Sequence, residues 1–115
     1  MTSPNDAVIY HIISLADWEA ARQRGSYRAA SLSSEGFIHF STRRQVPRTL
    51  AKFYAGRSGL ALLCVEVARL KSELRYEEAD GQMFPHLYGP LNLDAVVEAL
   101  PIEPGSSDPF SGRQE

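Results

Sequence analysis

The chain has 115 residues, of which 43% are hydrophobic and 23% are charged, and its formal net charge is −2. This length is typical of one globular domain, and the weak charge argues against a nucleic-acid partner. The single cysteine excludes an intrachain disulfide and a zinc site built from several cysteines. The longest apolar run, residues 60–65, is far shorter than a membrane span, and the polar N-terminus does not resemble a signal peptide. We therefore expect a soluble, cytoplasmic protein that does not bind membranes.

Composition divides the chain into an arm, a domain and a tail. Residues 1–6 are polar, and residues 105–115 are rich in proline, glycine, serine and charge. Such segments bury too little apolar surface to offset the entropy lost on ordering, so we predict a flexible C-terminal tail. Residues 7–104 are predicted to form a single globular domain.

The order of local patterns predicts strand, helix, strand, helix and then mostly strands. Short β-branched and aromatic runs are typical of strands, and apolar residues at helical spacing are typical of helices. The predicted strands are Ala7–Ile13, Gly36–Ser41, Leu60–Val67, Glu73–Ala79, Met83–Tyr88 and Ala95–Leu100. The predicted helices are Ser14–Arg24 and Arg43–Ala55, and a loop is expected over Ser26–Glu35. This order indicates an α+β fold with a sheet-rich second half.

Capping and turn residues support these boundaries. Ser14 or Asp17 is a suitable N-cap for the first helix, and Thr42 is one for the second. Gly25 follows the first helix, where a glycine commonly ends a helix. Asp80-Gly81 is the strongest hairpin signal in the chain, so the two strands beside it are predicted to pair.

The three histidines are the most informative polar residues. His11, His39 and His86 each lie within a predicted strand, among apolar or aromatic neighbours. A histidine in such surroundings needs hydrogen-bond partners for its ring nitrogens, and either backbone groups or a ligand can supply them. Nearby hydroxyl groups favour a ligand site: those of Tyr10, Ser41, Thr42 and Tyr88.

Metal and thiol chemistry have weaker support. The histidines are far apart in sequence and form no closely spaced ligand pair, so a three-histidine zinc site is an alternative and we predict no metal. Cys64 lies in the most apolar predicted strand, where a free cysteine behaves as a small apolar residue. We interpret Cys64 as structural.

Charged residues suggest two further features. Between Thr42 and Gly59 the chain has several basic residues and no acidic one. The first turn of the second helix could therefore hold a phosphate or pyrophosphate. A solvated helix face is the alternative explanation of these basic residues. The basic residues of this stretch are Arg43, Arg44, Arg48, Lys52 and Arg57. On a later strand, Arg75 and Glu77 are predicted to form a surface ion pair, with a functional carboxylate as the alternative.

Several short motifs follow one another in a specific order along the chain. They are IYHI (Ile9–Ile12), Trp18, Gly25-Ser26-Tyr27, Ser31-Leu32, GFIHFST (Gly36–Thr42), Gln45, RYE (Arg75–Glu77) and FPHLYGPLNLDAVV (Phe84–Val97). Together, over about residues 7–104, they resemble the bacterial family called domain of unknown function 952.

A more distant resemblance concerns the first half of the chain. Tyr10-His11, Trp18, Gly25 and Ile38–Ser41 follow one another as similar residues do in NAD-dependent RNA 2′-phosphotransferases and other ADP-ribosyltransferase-like proteins. The resemblance implies a split mixed or antiparallel β-sheet, with two helices in the N-terminal half, that binds NAD between its halves. Ile12-Ile13 stands where those enzymes have Gly-Thr, and either Glu77 or Glu78 could take the place of a catalytic glutamate.

We therefore predict a domain that binds NAD or a ligand carrying ADP-ribose. The resemblance implies that His11 contacts the ribose and that His39 is the second catalytic histidine. The predicted ligand-binding residues are Tyr10, Tyr27, Ser41, Thr42, Arg43, Arg44, His86 and Tyr88. An ADP-ribosyl or phosphoryl transferase and a non-catalytic nucleotide-binding module both remain open.

Overall fold

The computed structural model describes residues 6–103 and 109–110, which contain eight strands and three α-helices. Strands β1 to β8 are Val8–Ser14, Ser26–Tyr27, Ile38–His39, Leu60–Glu66, Glu73–Ala79, Gln82–Tyr88, Leu91–Asn92 and Val96–Ile102. Helices α1 to α3 are Leu15–Arg24, Ala30–Ser34 and Val46–Tyr54. Short 3-10 turns occupy Arg43–Gln45, Val67–Arg69 and Leu93–Ala95.

The strands of the described residues pair antiparallel in three sheets, so the predicted α+β class is confirmed. β4 lies between β1 and β8, β6 lies between β3 and β5, and β2 pairs with β7. An isolated bridge between Tyr10 and Ser41 connects the first of these sheets to the segment that follows β3. The backbone amide of each residue donates to the carbonyl oxygen of the other, at 2.8 and 2.7 Å.

The sheet of β1, β4 and β8 separates two hydrophobic cores. Alternate residues of β1 face opposite sides, so Ile9 and Ile13 pack in one core and Tyr10 and Ile12 pack in the other. β4 is apolar on both sides because it supplies residues to both cores. Cys64 is buried in the second core, in agreement with its structural interpretation.

Local capping explains both ends of α1 and the start of the turn that leads into α3. The Ser14 hydroxyl accepts a hydrogen bond from the Asp17 amide at 3.0 Å, so Ser14 is the N-cap of α1. Gly25 ends α1 at φ 91°, in the left-handed region where glycine lacks the steric cost of a Cβ atom. Thr42 forms a capping box with Gln45, but the residues after it first make a 3-10 turn. The predicted start of the second helix at Arg43 is therefore three residues early, and α3 begins at Val46.

The predicted loop over Ser26–Glu35 is wrong, because this segment contains β2 and α2. β2 exists through its pairing with β7, which is distant in sequence: Ser26 pairs with Asn92 and Tyr27 with Leu91. Such pairing leaves no local signal in a two-residue strand. α2 has no side-chain N-cap, so the usual start signal of a helix is missing as well.

The β5–β6 hairpin is confirmed and creates one polar sheet face. Asp80 and Gly81 both have positive φ, as the predicted two-residue turn requires. In the register of this hairpin, Arg75 is opposite His86 and Glu77 is opposite Phe84, and opposed residues share a face. β3 adds His39 to the same face, because His39 is paired with His86.

The predicted flexible tail lies largely outside the described residues and stays a prediction, as does the N-terminal arm. Pro109 and Phe110 are described, and the Phe110 ring packs edge-on against Tyr10 with their centroids 5.2 Å apart. Among the described residues, no helix combines the length and the apolar character needed to cross a membrane.

Candidate functional site

A cleft of about 610 Å³ lies where β1, the segment after β3, β6 and α3 meet. Its size falls in the range of small-molecule sites. Six of the predicted site residues line it: Tyr10, His11, Tyr27, His39, Ser41 and His86. The other four, Thr42, Arg43, Arg44 and Tyr88, are not among its lining residues.

His11 is buried in the cleft wall with both ring nitrogens hydrogen-bonded. Its Nδ1 lies 2.6 Å from the backbone oxygen of His39, and because a carbonyl oxygen only accepts, Nδ1 carries the proton. Burial lowers the pKa of His11 to about 4, so the ring is neutral at pH 7. Nε2 is then an acceptor, and the Tyr27 hydroxyl donates to it at 3.1 Å. A ligand at this end of the cleft therefore meets the Tyr27 oxygen before it meets a His11 nitrogen.

The phenol of Tyr27 is a stable donor in this pair. Burial, with a smaller contribution from the negative charge of Asp17, raises the pKa of Tyr27, so the hydroxyl keeps its proton. Its oxygen retains lone pairs that can accept from a ligand hydroxyl.

His86 is also buried, but its partner is a carboxylate. Its Nδ1 lies 2.8 Å from Oε1 of Glu77, and the Tyr88 hydroxyl donates to the same oxygen at 2.6 Å. These two hydrogen bonds, that from Tyr88 first, lower the pKa of Glu77, so the carboxylate stays ionised at neutral pH. The ring of Phe37 stacks on His86 with their centroids 4.0 Å apart. Tyr88 therefore acts on the cleft through Glu77.

His39 lies at the exposed mouth of the cleft. Its side chain is 54% exposed, and Nε2 is 3.2 Å from Oε1 of Glu35. Its ring meets that of His86 edge-on, with centroids 5.4 Å apart. The backbone oxygen of His39 is the group that orients His11, so this residue contributes to the site through its main chain as well as its ring.

Ser41 connects the cleft wall to α3. The side chain is buried, and its hydroxyl oxygen is 3.3 Å from that of Thr49. Its backbone pairs with Tyr10 on β1. Ser41 thus connects three parts of the chain through hydrogen bonds: β1, the segment after β3, and α3.

The basic residues are arranged differently from the predicted phosphate site. The Arg43 guanidinium lies over the Phe110 ring, 4.3 Å from its centroid, and the Thr42 amide donates to Oε1 of Gln45 at 2.9 Å. Arg44 faces a small adjoining hollow of about 60 Å³. Arg57, which follows α3, is the arginine that lines the cleft within the part of the chain that the structure describes.

The predicted ion pair between Arg75 and Glu77 is wrong. Arg75 instead makes a bidentate pair with Glu73, at 2.9 and 3.1 Å, and its guanidinium lies 4.3 Å from the centroid of the Tyr88 ring. Glu77 is free to bind His86 and Tyr88 because Arg75 turns the other way along the strand. Glu77 therefore faces the cleft residue His86, whereas Glu78 is exposed on the opposite face, and the alternative of a functional carboxylate stays a prediction.

Aromatic residues that the sequence did not single out complete the cleft. Phe53, Tyr54 and Phe84 line it, and the Phe53 side chain is exposed. Phe84 shares the sheet face of His86 by simple alternation, so its position could have been inferred from the β6 sequence. The sequence pattern places Phe53 and Tyr54 on the apolar side of the second predicted helix, but which surface that side meets depends on how α3 packs.

The three-histidine metal alternative lacks a suitable arrangement. In the described ranges, no group of three or more His, Cys, Asp and Glu side chains could hold a metal ion. Both ring nitrogens of His11 are occupied by protein groups, and His86 uses Nδ1 for Glu77.

Comparison with known proteins places the chain in a family. The family model described as "Protein of unknown function (DUF952)" matches residues 12–99. The crystal structure of protein CC0527 from Caulobacter crescentus is 39% identical, covers 80% of this chain and 82% of that chain, and has a TM-score of 0.74. The solution NMR structure of CC0527 is 37% identical over 84% of this chain and 85% of that chain, also with a TM-score of 0.74. No curated protein matches the chain. The chain belongs to the DUF952 family of proteins of unknown function.

Proposed function

We propose that the cleft binds a nucleotide-like ligand, NAD or another molecule that carries ADP-ribose. The observation that carries the proposal is the cleft of about 610 Å³, which brings His11, Tyr27, Ser41 and His86 together from separate parts of the chain. A pocket with a few converging polar groups between apolar walls is typical of small-molecule sites.

The polar groups of the cleft suit a sugar. A ribose hydroxyl both donates and accepts, so it matches the Tyr27 oxygen and the ring edge of His86. Because His11 is neutral and occupied on both nitrogens, it supports the ribose by orienting Tyr27. This differs from the direct ribose contact that the sequence resemblance implies.

The aromatic wall suits a planar ring. Phe53 is 63% exposed, so its ring is accessible to a ligand in the cleft. Phe53, Tyr54 and Phe84 offer faces and edges on which a nicotinamide or adenine ring can pack.

The positive charge needed for phosphates comes from Arg57. Arg57 lines the cleft, and its guanidinium is 5.3 Å from the centroid of the Tyr54 ring. The adjoining hollow adds Arg44 and Arg48, whereas Lys52 in the same hollow is paired with Asp80. We therefore assign the diphosphate to the Arg57 end of the cleft.

Calorimetric titration of the full chain with NAD and with ADP-ribose tests this proposal. Heat of binding is expected for at least one of the two ligands, and Arg57→Gln is expected to weaken the affinity about tenfold, since one charge-assisted contact is worth about 1.4 kcal/mol. Arg24→Gln is the matched control, because Arg24 is an exposed arginine on α1 that does not line the cleft. The proposal fails if neither ligand binds, or if Arg57→Gln binds as tightly as the wild type.

A non-catalytic module is the second candidate, and it predicts binding without a product. Free nicotinamide released from NAD above the spontaneous rate would exclude it. The pairing of His86 with an ionised carboxylate favours a reaction over binding alone.

A further inference from the structure

We propose that His86 is the proton acceptor of the cleft and that Glu77 is its positioning residue. The inference rests on the proposed function, because it assigns a chemical step to the ligand bound in the same cleft. It concerns a carboxylate–imidazole pair formed across the β5–β6 hairpin.

The hydrogen bonds of His86 define which ring nitrogen is available. A carboxylate accepts, so the 2.8 Å contact with Glu77 places the proton of a neutral ring on Nδ1 and leaves Nε2 with a lone pair. Among the described residues, every side-chain nitrogen or oxygen that is fully buried has a hydrogen-bond partner. No described residue bonds to Nε2 of His86, so this atom is not fully buried. Nε2 is therefore the atom through which this largely buried ring reaches the cleft.

The surroundings of His86 hold the ring in that orientation. Phe37 stacks on one face of the ring, and Tyr88 fixes the carboxylate by donating to Oε1 of Glu77. The charged and ionisable groups packed around the pair are Glu77 and Arg75 on β5, Tyr88 on β6 and His39 on β3. Arg75 forms its ion pair with Glu73, so the hydrogen-bond partners of the Glu77 carboxylate are His86 and Tyr88.

His11 shows that burial in this cleft does not by itself leave a reactive nitrogen. It has the same tautomer as His86, but its Nδ1 partner is a neutral carbonyl group and Tyr27 occupies its Nε2. His86 differs in both respects, since it has a charged partner and an open Nε2. This combination is the one that general bases need, because the carboxylate orients the ring and stabilises the cation formed.

With NAD as the ligand, the proton step balances with water as the only co-reactant. The O–H bond of a water breaks and its proton goes to Nε2 of His86. The oxygen forms a bond to C1′ of the nicotinamide ribose, and the C1′–N bond breaks with its electron pair going to the nicotinamide nitrogen. The products are ADP-ribose, nicotinamide and a protonated His86, which later releases the proton to solvent.

Release of nicotinamide from NAD tests the step in the intact chain. Glu77→Gln and His86→Gln are each expected to lower kcat about 100-fold, the usual contribution of a general base, with KM changed less than about threefold. Glu78→Gln is the matched control, because it makes the same change on the neighbouring exposed residue of β5 and is expected to leave both constants unchanged. A Glu77→Gln enzyme as fast as the wild type overturns the proposal, and so does a wild type that binds NAD without releasing nicotinamide.

A ligand-free measurement separates this inference from the proposed function. Long-range ¹H–¹⁵N spectra at pH 8 are expected to show His86 protonated on Nδ1 with a bare Nε2, and Glu77→Gln is expected to shift that tautomer balance. A wild-type His86 protonated on Nε2 overturns the inference, whatever the ligand. Failure of NAD and ADP-ribose to bind removes the proposed function, while the tautomer still decides the state of His86.

Discussion

His11 and His86 line the same cleft, and each bonds an oxygen through Nδ1, yet their surroundings differ. His11 has no ring nitrogen available to a ligand, because a backbone carbonyl group and a phenol are hydrogen-bonded to its two nitrogens. His86 is held by a carboxylate at one nitrogen and keeps the other directed to the cleft. In sequence, both are single histidines within short apolar strands, so burial alone does not distinguish a structural histidine from a chemically available one.

The difference originates in the partner strands. β1 brings His11 against the backbone of the segment that contains His39, where carbonyl groups are the available partners. β6 pairs with β5, whose alternate residues project side chains onto the face that carries His86. A neighbouring strand with a carboxylate at the right register therefore gives a buried histidine a charged partner, and this is the pair that we propose to be reactive.

The largest expected effect is on the free energy of unfolding, and it distinguishes substitution of the buried His11 from substitution of the exposed His39. His11→Ala leaves a cavity and strips partners from the Tyr27 hydroxyl and the His39 carbonyl group, so we expect the free energy of unfolding to fall by about 3 kcal/mol. His39→Ala removes an exposed hydrogen bond to Glu35 and is expected to cost less than about 1 kcal/mol. Urea denaturation of the two variants measures both values. Equal losses would contradict a structural role of His11, in which protein groups bond both ring nitrogens.

A smaller effect follows from the lowered pKa of His11. Its pKa is 6.5 when unperturbed and about 4 in the folded protein, so between these values the unfolded chain binds more protons than the native one. Stability contributed by the neutral ring is complete above pH 6.5 and is lost as the pH falls toward 4. We expect a loss of about 2 kcal/mol between pH 7.5 and pH 5.

The matched variant for this measurement is His11→Gln, which cannot take up a proton at this position. Its unfolding free energy is expected to fall by about 2 kcal/mol less than that of the wild type over the same pH interval. Parallel pH profiles for the two chains would show that the native ring is protonated as readily as the unfolded one.

Much of the fold follows from local signals in the sequence. The apolar run of β4, the Asp80-Gly81 turn and the caps at Ser14, Gly25 and Thr42 all act over a few residues, so sequence patterns find them. β2 and β7 contain two residues each and exist only through their mutual pairing. A two-residue strand has no periodicity of its own, so sequence patterns cannot predict it.

The candidate site was predictable in its residue types and less so in its contacts. The histidines and Tyr10, Tyr27 and Ser41 do line one cleft. The basic residue was misplaced, because the direction of a long side chain depends on packing: Arg43 lies over Phe110, and Arg57 lines the cleft. The partner of Glu77 was missed for a similar reason, since Arg75 can reach either of its neighbours on the strand.

The central claim is that this cleft, rather than another concave surface, binds the ligand. A shallower groove between α1 and β8, which includes Trp18 and Val97, is the natural comparison. Titration of ¹⁵N-labelled protein with ADP-ribose should shift the backbone amides of Tyr27, Ser41, Arg57 and His86, and should leave that of Val97 unchanged. Shifts concentrated at Trp18 and Val97, or a spectrum unchanged at saturating ligand, would contradict the claim.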